Sequence, residues 1–259
     1  MYTSFPVEMV RRAHQNLETQ LRLVAGAAPG GGVRDIEGVA LFASGLPYAL
    51  FNRLFAIDPP PAPPTALGRA REFFRPLALP WSVCAAPEAV GSIDGSAIAA
   101  GLVRLGPQPM MLLEKHHAVS ILAEGLAVRR CITDADAGVF VRVTARGFRS
   151  PRIVFDAYCR AGVFDSPALR HYVGYLGDEP VAAATLVNAH GIAGIYNVTT
   201  IKRFRRRGFG AAITMHAARE GFAAGCDASA LQASAMGFNV YEEIGYRHAC
   251  DYTIWAPPG

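Results

Sequence analysis

The stretch Arg205-Arg206-Arg207-Gly208-Phe209-Gly210-Ala211 decides how this chain is read. It follows an apolar, strand-like segment and precedes a helical pattern that puts Phe209, Ala212, Ile213, His216 and Ala217 on one face. A helix start presents backbone N–H groups with no intrahelical partner, and the aligned peptide dipoles place positive potential at the same end. Glycine at 208 and 210 lets the backbone curl and removes Cβ atoms that would hold an anion away from those N–H groups. Five of the six residues from Lys202 to Arg207 are basic, which adds attraction to a diphosphate. The plain alternative is an exposed turn with a solvated charge run, or a patch that meets nucleic-acid phosphates.

Working outward, residues 126–131 suit a strand, 134–147 a helix and 151–161 a second helix. Strand signals at 170–176, 180–188 and 192–199 are separated by Gly177-Asp178-Glu179-Pro180 and His190-Gly191, so an antiparallel meander is expected. After the glycine loop come a helix to about 224 with its stop at Gly225, a strand at 228–233, a helix at 237–244 closed by Gly245, and a strand at 247–255.

The first half is α/β without a motif readable from spacing. Helical spacing over 7–24 ends in the glycines of 26–32; a strand is expected at 35–43, helices at 65–77 and 93–104, and strands around Trp81–Cys84 and at 109–114. Asp58-Pro59-Pro60-Pro61-Ala62-Pro63-Pro64 reads as stiff, extended and exposed. Domains are expected at 1–120 and 121–259.

Of the 259 residues, 51% are hydrophobic and 18% charged, which is the composition of a packed globular protein and not of a disordered one. The net charge of +4 owes much to Lys202–Arg207, so it gives little reason to expect nucleic acid. Five cysteines without close spacing, and no basic-then-apolar leader, lead us to expect a reduced, cytoplasmic protein. No apolar run approaches the ~18 to 20 residues of a membrane-spanning helix, and no membrane partner is expected. His116-His117 has no ligand partner at metal spacing, so no metal is expected.

Residues 126–256 resemble the GNAT superfamily of acyl-CoA-dependent N-acyltransferases. The family's loop reads Arg or Gln, two residues, Gly, one residue, Gly or Ala; Arg205, Gly208 and Gly210 stand at its fixed positions. A second element, a tyrosine four residues before a Gly-aromatic pair, stands as Tyr241-Glu242-Glu243-Ile244-Gly245-Tyr246. Lys202 replaces a frequent proline, Ser234 a frequent asparagine and Tyr246 the usual phenylalanine.

The resemblance implies an α/β fold of α+β type, with a mixed, mainly antiparallel sheet and flanking helices. It implies acetyl-CoA as acyl donor and an amine-bearing small molecule or peptide as acceptor. Val198, Thr199 and Thr200 would offer backbone groups to the pantetheine arm, and one N–H there would polarise the thioester carbonyl. Arg205, Arg206, Arg207, Gly208, Phe209, Gly210 and Ala211 would hold the diphosphate, with Ser234 as a further cofactor contact. Tyr241 would be the general acid that protonates the leaving thiolate, since a phenol of pKa ~10 keeps its proton at neutral pH.

The general base is unassigned. The strand from Gly194 to Thr200 has no carboxylate, and Tyr196, His190 and His171 are the polar or titratable groups nearby, each with an ordinary structural reading. A non-catalytic acyl-CoA-binding module is the competing reading. The run from Trp81 to Leu113 parallels 228 to the final strand, so the first half is expected to be a degenerate, cofactor-free GNAT-like repeat or an unrelated α/β cap. Leu102 stands at the place of Tyr241 in that parallel, and nothing there matches Arg205–Gly210.

Overall fold

The computed structural model describes residues 5–36, 38–121 and 123–258, and the chain divides into two units. Among the described residues, one unit holds Leu17–Met110 together with residues 250–258; the other holds Met111–Ala249 together with residues 5–16. This differs from a linear split at 120/121. The reason is that the first helix and the last strand each pass from one unit to the other.

In the first unit, β1 (Gly32–Ile36), β2 (Val39–Ala43) and β3 (Asn52–Ala56) form an antiparallel meander, and β4 (Ser82–Ala85) lies parallel to β3. β12 (Arg247–Ala256) adds its last residues antiparallel to β4, Ile254 opposite Cys84, with β5 (Val103–Arg104) beyond it. The helices α2 (Pro63–Phe74) and α3 (Pro87–Ala99) cover a core of Leu41, Leu54, Phe74, Val83, Ile93 and Trp255. Each such side chain, fully withdrawn from water, contributes about 1.5–3 kcal/mol. Trp255 keeps its indole N–H satisfied on Asp94 Oδ1 at 2.9 Å.

In the second unit, β7 (Leu126–Arg130), β8 (Leu169–Leu176), β9 (Glu179–Ala189) and β10 (Ile192–Thr200) form an antiparallel meander. β11 (Ala228–Gln232) runs parallel to β10, and β6 (Gln108–Glu114) is its neighbour on the other side. Seven consecutive residues of β9, Val181–Val187, are buried, the pattern of a strand covered on both faces. α4 (Asp134–Phe148) and α6 (Phe209–Ala223) supply cover. α4 starts at a capping box in which Thr133 and Asp136 bond each other's backbone N–H groups. The buried Asn16 of α1 (Val7–Gly26) donates to the carbonyls of Val187, Ala189 and Ile192 and accepts from Tyr196 Oη at 2.8 Å. The short helices α5 (Ile153–Asp156) and α7 (Phe238–Glu243) complete this unit.

The two units repeat one strand order. β1, β2, β3 and β4 correspond to β8, β9, β10 and β11, with antiparallel, antiparallel and then parallel neighbours in both. A helix stands before the parallel strand in each, α2 in one and α6 in the other. The strand after the parallel one is exchanged: the first unit takes it from the chain's last strand and the second from its middle.

Several expectations for the first half are corrected. The single strand at 35–43 is a tight hairpin, with Ile36 opposite Val39 and Gly38 at φ 78°; Glu37 lies outside the described residues. The apolar spacing from Ile36 to Val39 is odd, which a continuous strand facing one core cannot use. The proline run is not all extended, because Pro63 and Pro64 open α2, where a missing N–H costs nothing. The helix placed at 93–104 starts at Pro87 for the same reason and ends at Ala99, ahead of Gly101 at φ 81°. β3 had no counterpart in the sequence reading. The helix placed at 151–161 is α5 followed by a 3-10 turn over Ala157–Cys159.

Candidate functional site

The site begins where β10 parts from β11. The parallel ladder runs from Ile192 opposite Ala228 to Ile195 opposite Leu231 and goes no further. β10 continues to Thr200 with β9 as its sheet neighbour, through a bulge between Tyr196 and Thr199 at which Asn197 has φ 54°. A bulge of this kind bends its strand and ends pairing on one side. The backbone of residues 197–200 therefore has an edge that no β11 residue pairs with. In the first unit the equivalent strands stay closed: β3 and β4 pair through Ala56 and Ala85, and Ala86 N–H donates to Ala56 O at 2.8 Å.

Val198 and Thr200 are half-buried and Thr199 is buried. Thr199 packs on the last turn of α4 so closely that a Cβ on Gly147 would stand 2.1 Å from Thr199 Oγ1. Only glycine fits there.

A 3-10 turn over Lys202–Phe204 leads from β10 into the loop. Arg205 does not hold its guanidinium free for an anion. Its Nε donates to Thr200 O at 3.1 Å and its Nη2 to Gly147 O at 2.8 Å, and its Nη1 reaches Met236 Sδ at 3.6 Å. Arg206 is exposed with φ 62°, a left-handed backbone that costs a non-glycine residue about 1–2 kcal/mol. Arg207 is also exposed and lies over the Phe209 ring at 4.8 Å. Gly208, at φ 76°, is the N-cap of α6, and the first intrahelical bond runs from Ala212 N to Gly208 O. The N–H groups of Phe209, Gly210 and Ala211 thus have no intrahelical carbonyl. Phe209 is buried and anchors the helix start, while Gly208 before it is exposed.

Ser234 caps the turn into α7, accepting the Gly237 N–H on Oγ at 3.2 Å and on its carbonyl at 2.9 Å. The Tyr241 ring packs on Gly237, where a Cβ would stand 2.9 Å from Tyr241 Cε2, and against Tyr246 at 6.1 Å between centroids. Among the described residues Tyr241 Oη has no hydrogen-bond partner. Burial pushes its pKa up to about 12, so the phenol keeps its proton across the neutral range. Tyr246 is tied down instead, its hydroxyl 2.6 Å from Ser229 Oγ, which donates to Ala193 O.

The groups named as possible bases are otherwise engaged. Tyr196 Oη donates to Asn16 and is fully enclosed, with its pKa raised by burial. His190 sits in the exposed β9–β10 turn at φ 56°. His171 is buried among the rings of Phe140, Phe164 and Tyr158, with Nδ1 2.8 Å from Thr185 Oγ1 and Nε2 3.0 Å from Tyr158 O. Burial lowers its pKa to about 4. Asn197 Nδ2 donates to the same Thr185 hydroxyl at 3.2 Å.

His116 and His117, expected to lack a ligand partner, have a carboxylate companion in Glu114. Ligand atoms of Glu114, His116 and His117 lie within 4.8 Å of one another. Arg247 already sits on Glu114 Oε2 at 3.0 Å, placing a fixed cation where a metal would need negative charge.

The sequence model of the Acetyltransferase (GNAT) family matches residues 142–246. Residues 142–246 therefore match that family, whose members are acyl-CoA-dependent N-acetyltransferases. Among solved structures, the chain is similar to a GCN5-related N-acetyltransferase from Kribbella flavida, with a TM-score of 0.75 and 17% identity over 95% of this chain and 96% of that one. It is also similar to a GCN5-related N-acetyltransferase from Sphaerobacter thermophilus (TM-score 0.63, 13% identity, 100% and 96% covered). A tandem GNAT protein from the clavulanic acid biosynthesis pathway matches over 95% of this chain and 96% of its own, with a TM-score of 0.59 and 12% identity. These likenesses extend the fold over both units. A comparison with curated proteins finds no match.

Proposed function

We propose that the chain transfers an acetyl group from acetyl-CoA to a primary amine by direct attack on the thioester. One observation carries this reading: β10 leaves β11 after Ile195, and five residues beyond its last residue, Thr200, begins the loop Arg205–Gly208 that leads into the uncapped start of α6 at Phe209. The unpaired edge at Val198, Thr199 and Thr200 suits the two amides of pantetheine. The N–H groups of Phe209, Gly210 and Ala211, with Arg206, Arg207 and Gly208, suit the diphosphate, and Ser234 keeps a hydroxyl proton for a further contact. Arg205 serves the cofactor indirectly, by fixing the loop.

The amine loses a proton, its nitrogen attacks the thioester carbon, and a backbone N–H at Val198 holds the oxyanion that forms. When the C–S bond breaks, the thiolate takes the Tyr241 proton. The base remains unassigned in this scheme; a water chain to a distant carboxylate fits better than His171 or Tyr196. That same lack of a carboxylate on β10 favours the second reading, an acyl-CoA-binding module without turnover.

The first unit is assigned no cofactor. Pro63 and Pro64 occupy the first helical positions of α2, which removes backbone donors where an anion would need them, and its parallel strands do not part. Among the described residues no helix is long and apolar enough to cross a membrane. Calorimetry with acetyl-CoA and mass-spectrometric screening of amines test the reading, comparing wild type with Gly208→Glu. Equal transfer by both proteins removes the cradle assignment; acetyl-CoA binding without transfer to any amine selects the second reading.

A further inference from the structure

Asn197 holds a left-handed backbone in the middle of a strand, φ 54° at the bulge of β10. For a residue with a Cβ this conformation is uphill and persists only when its surroundings impose it. The imposing contact is the side chain's own bond to Thr185 Oγ1 on β9 at 3.2 Å.

The direction of every proton in this chain of bonds follows from what each atom can do. The Tyr158 carbonyl can only accept, so His171 Nε2 carries the proton between them at 3.0 Å. In a neutral imidazole Nδ1 is then an acceptor, and the Thr185 hydroxyl donates to it at 2.8 Å. With that proton committed, Thr185 Oγ1 meets Asn197 as an acceptor, which requires the amide NH₂ to face it. One arrangement satisfies all three bonds. Thr185 and His171 are both buried, and His171 lies against Phe140 at 4.0 Å between centroids, so water does not compete for the bonds.

Resting on the acetyl-transfer reading above, we propose that Asn197, Thr185 and His171 are positioning residues for the oxyanion donor. They pin the bulge, and the bulge sets the direction of the next peptide, the N–H of Val198. His171 thus acts as a buried hydrogen-bond anchor and not as a base.

The test is Thr185→Val, which keeps the shape and deletes both bonds, set beside Thr185→Ser, which keeps the hydroxyl. Against an amine that wild type acetylates, kcat of the valine variant is expected to fall roughly 10- to 100-fold, the effect of a donor moved by about an ångström. Its acetyl-CoA Kd should stay within about threefold of wild type, because most cofactor contacts lie elsewhere, and the serine variant should recover most of kcat. Asn197→Gly, free to adopt positive φ without an amide, guards against a folding artefact and should also lose kcat at unchanged cofactor affinity. In ¹⁵N spectra of the wild type, His171 should show a protonated Nε2 and a bare Nδ1, and the Nδ1 signal should move in Thr185→Val. A valine variant as fast as wild type overturns the proposal while acetyl transfer stands. A wild type that binds no acetyl-CoA overturns the catalytic role with the functional reading, and the spectra then decide whether the relay itself exists.

Discussion

Arg205 Nη2 donates to the carbonyl oxygen of Gly147 at 2.8 Å, and that bond ties the glycine loop to the last turn of α4. The carbonyl is one of those a helix end leaves without an intrahelical donor, at the negative pole of its dipole. Arg205→Ala is expected to cost about 2 kcal/mol in urea unfolding, the worth of a charge-assisted bond to backbone, and to raise the KM for acetyl-CoA more than it lowers kcat. Lysine should restore little, because one ammonium cannot reproduce a fork that reaches both Thr200 and Gly147. Normal stability in Arg205→Ala would argue that the guanidinium is free to serve as a phosphate ligand.

The adjoining contact predicts an overpacking effect. Gly147→Ala would drive a methyl to 2.1 Å from Thr199 Oγ1, and a β-branched side chain has little freedom to retreat. A loss of about 1–3 kcal/mol is expected, partly recovered when Thr199→Ala is added. Unfolding of the two single variants and the double variant measures the coupling; strict additivity would show that the two residues do not meet.

Tyr241→Phe is expected to fold like wild type, since Tyr241 Oη has no bonded partner among the described residues. Its kcat should drop about 10²- to 10³-fold with little change in acetyl-CoA affinity. With the phenol's pKa pushed up to about 12, the wild-type rate should show no alkaline loss through Tyr241 until pH nears that value. A phenylalanine variant of undiminished kcat would move the acid elsewhere.

His171 gives a pH dependence of stability. Its folded pKa of about 4 lies below the ordinary 6.5, so the unfolded chain takes up a proton first as pH falls. The stabilisation is full above pH 6.5 and drains away between there and about pH 4, by up to about 3 kcal/mol. Urea midpoints between pH 4 and 8 measure it, and His171→Asn should flatten that part of the profile. An unchanged slope in the variant would assign the acid loss to other groups.

Acetyl-CoA should bind with a stoichiometry of one per chain, and Gly208→Glu should abolish it. The prolines that open α2 supply no N–H groups at its first positions, so the first unit offers no second cradle. Titration showing two sites, or residual stoichiometric binding in Gly208→Glu, would contradict this.

The second half was largely legible in the sequence because its decisive features are local. Gly208 and Gly210 mark a loop, Gly225 and Gly245 end helices, and the strand signals from 170 to 200 form the meander the turns announce. In the first half, Pro63 belongs to a run that reads as extended, and the helix expected at 93–104 begins earlier, at Pro87; each proline opens a helix at a position where its missing N–H costs nothing. Three features of the site were beyond reach for a common reason. The commitment of Arg205 to Gly147, the hold of Asn16 on Tyr196 and the link from Asn197 through Thr185 to His171 each join residues far apart in the chain. Residue type announces that a hydrogen bond will be made; only the fold says with whom.

The exchanged strand has a consequence for how this protein can be made and taken apart. β4 waits for the far end of the chain to supply its antiparallel partner, and β11 depends on a strand synthesised well before it. Neither contiguous half can therefore finish its own sheet, and each alone would present an unpaired, adhesive edge. A gene cut between the halves is expected to give two insoluble fragments that become soluble when coexpressed.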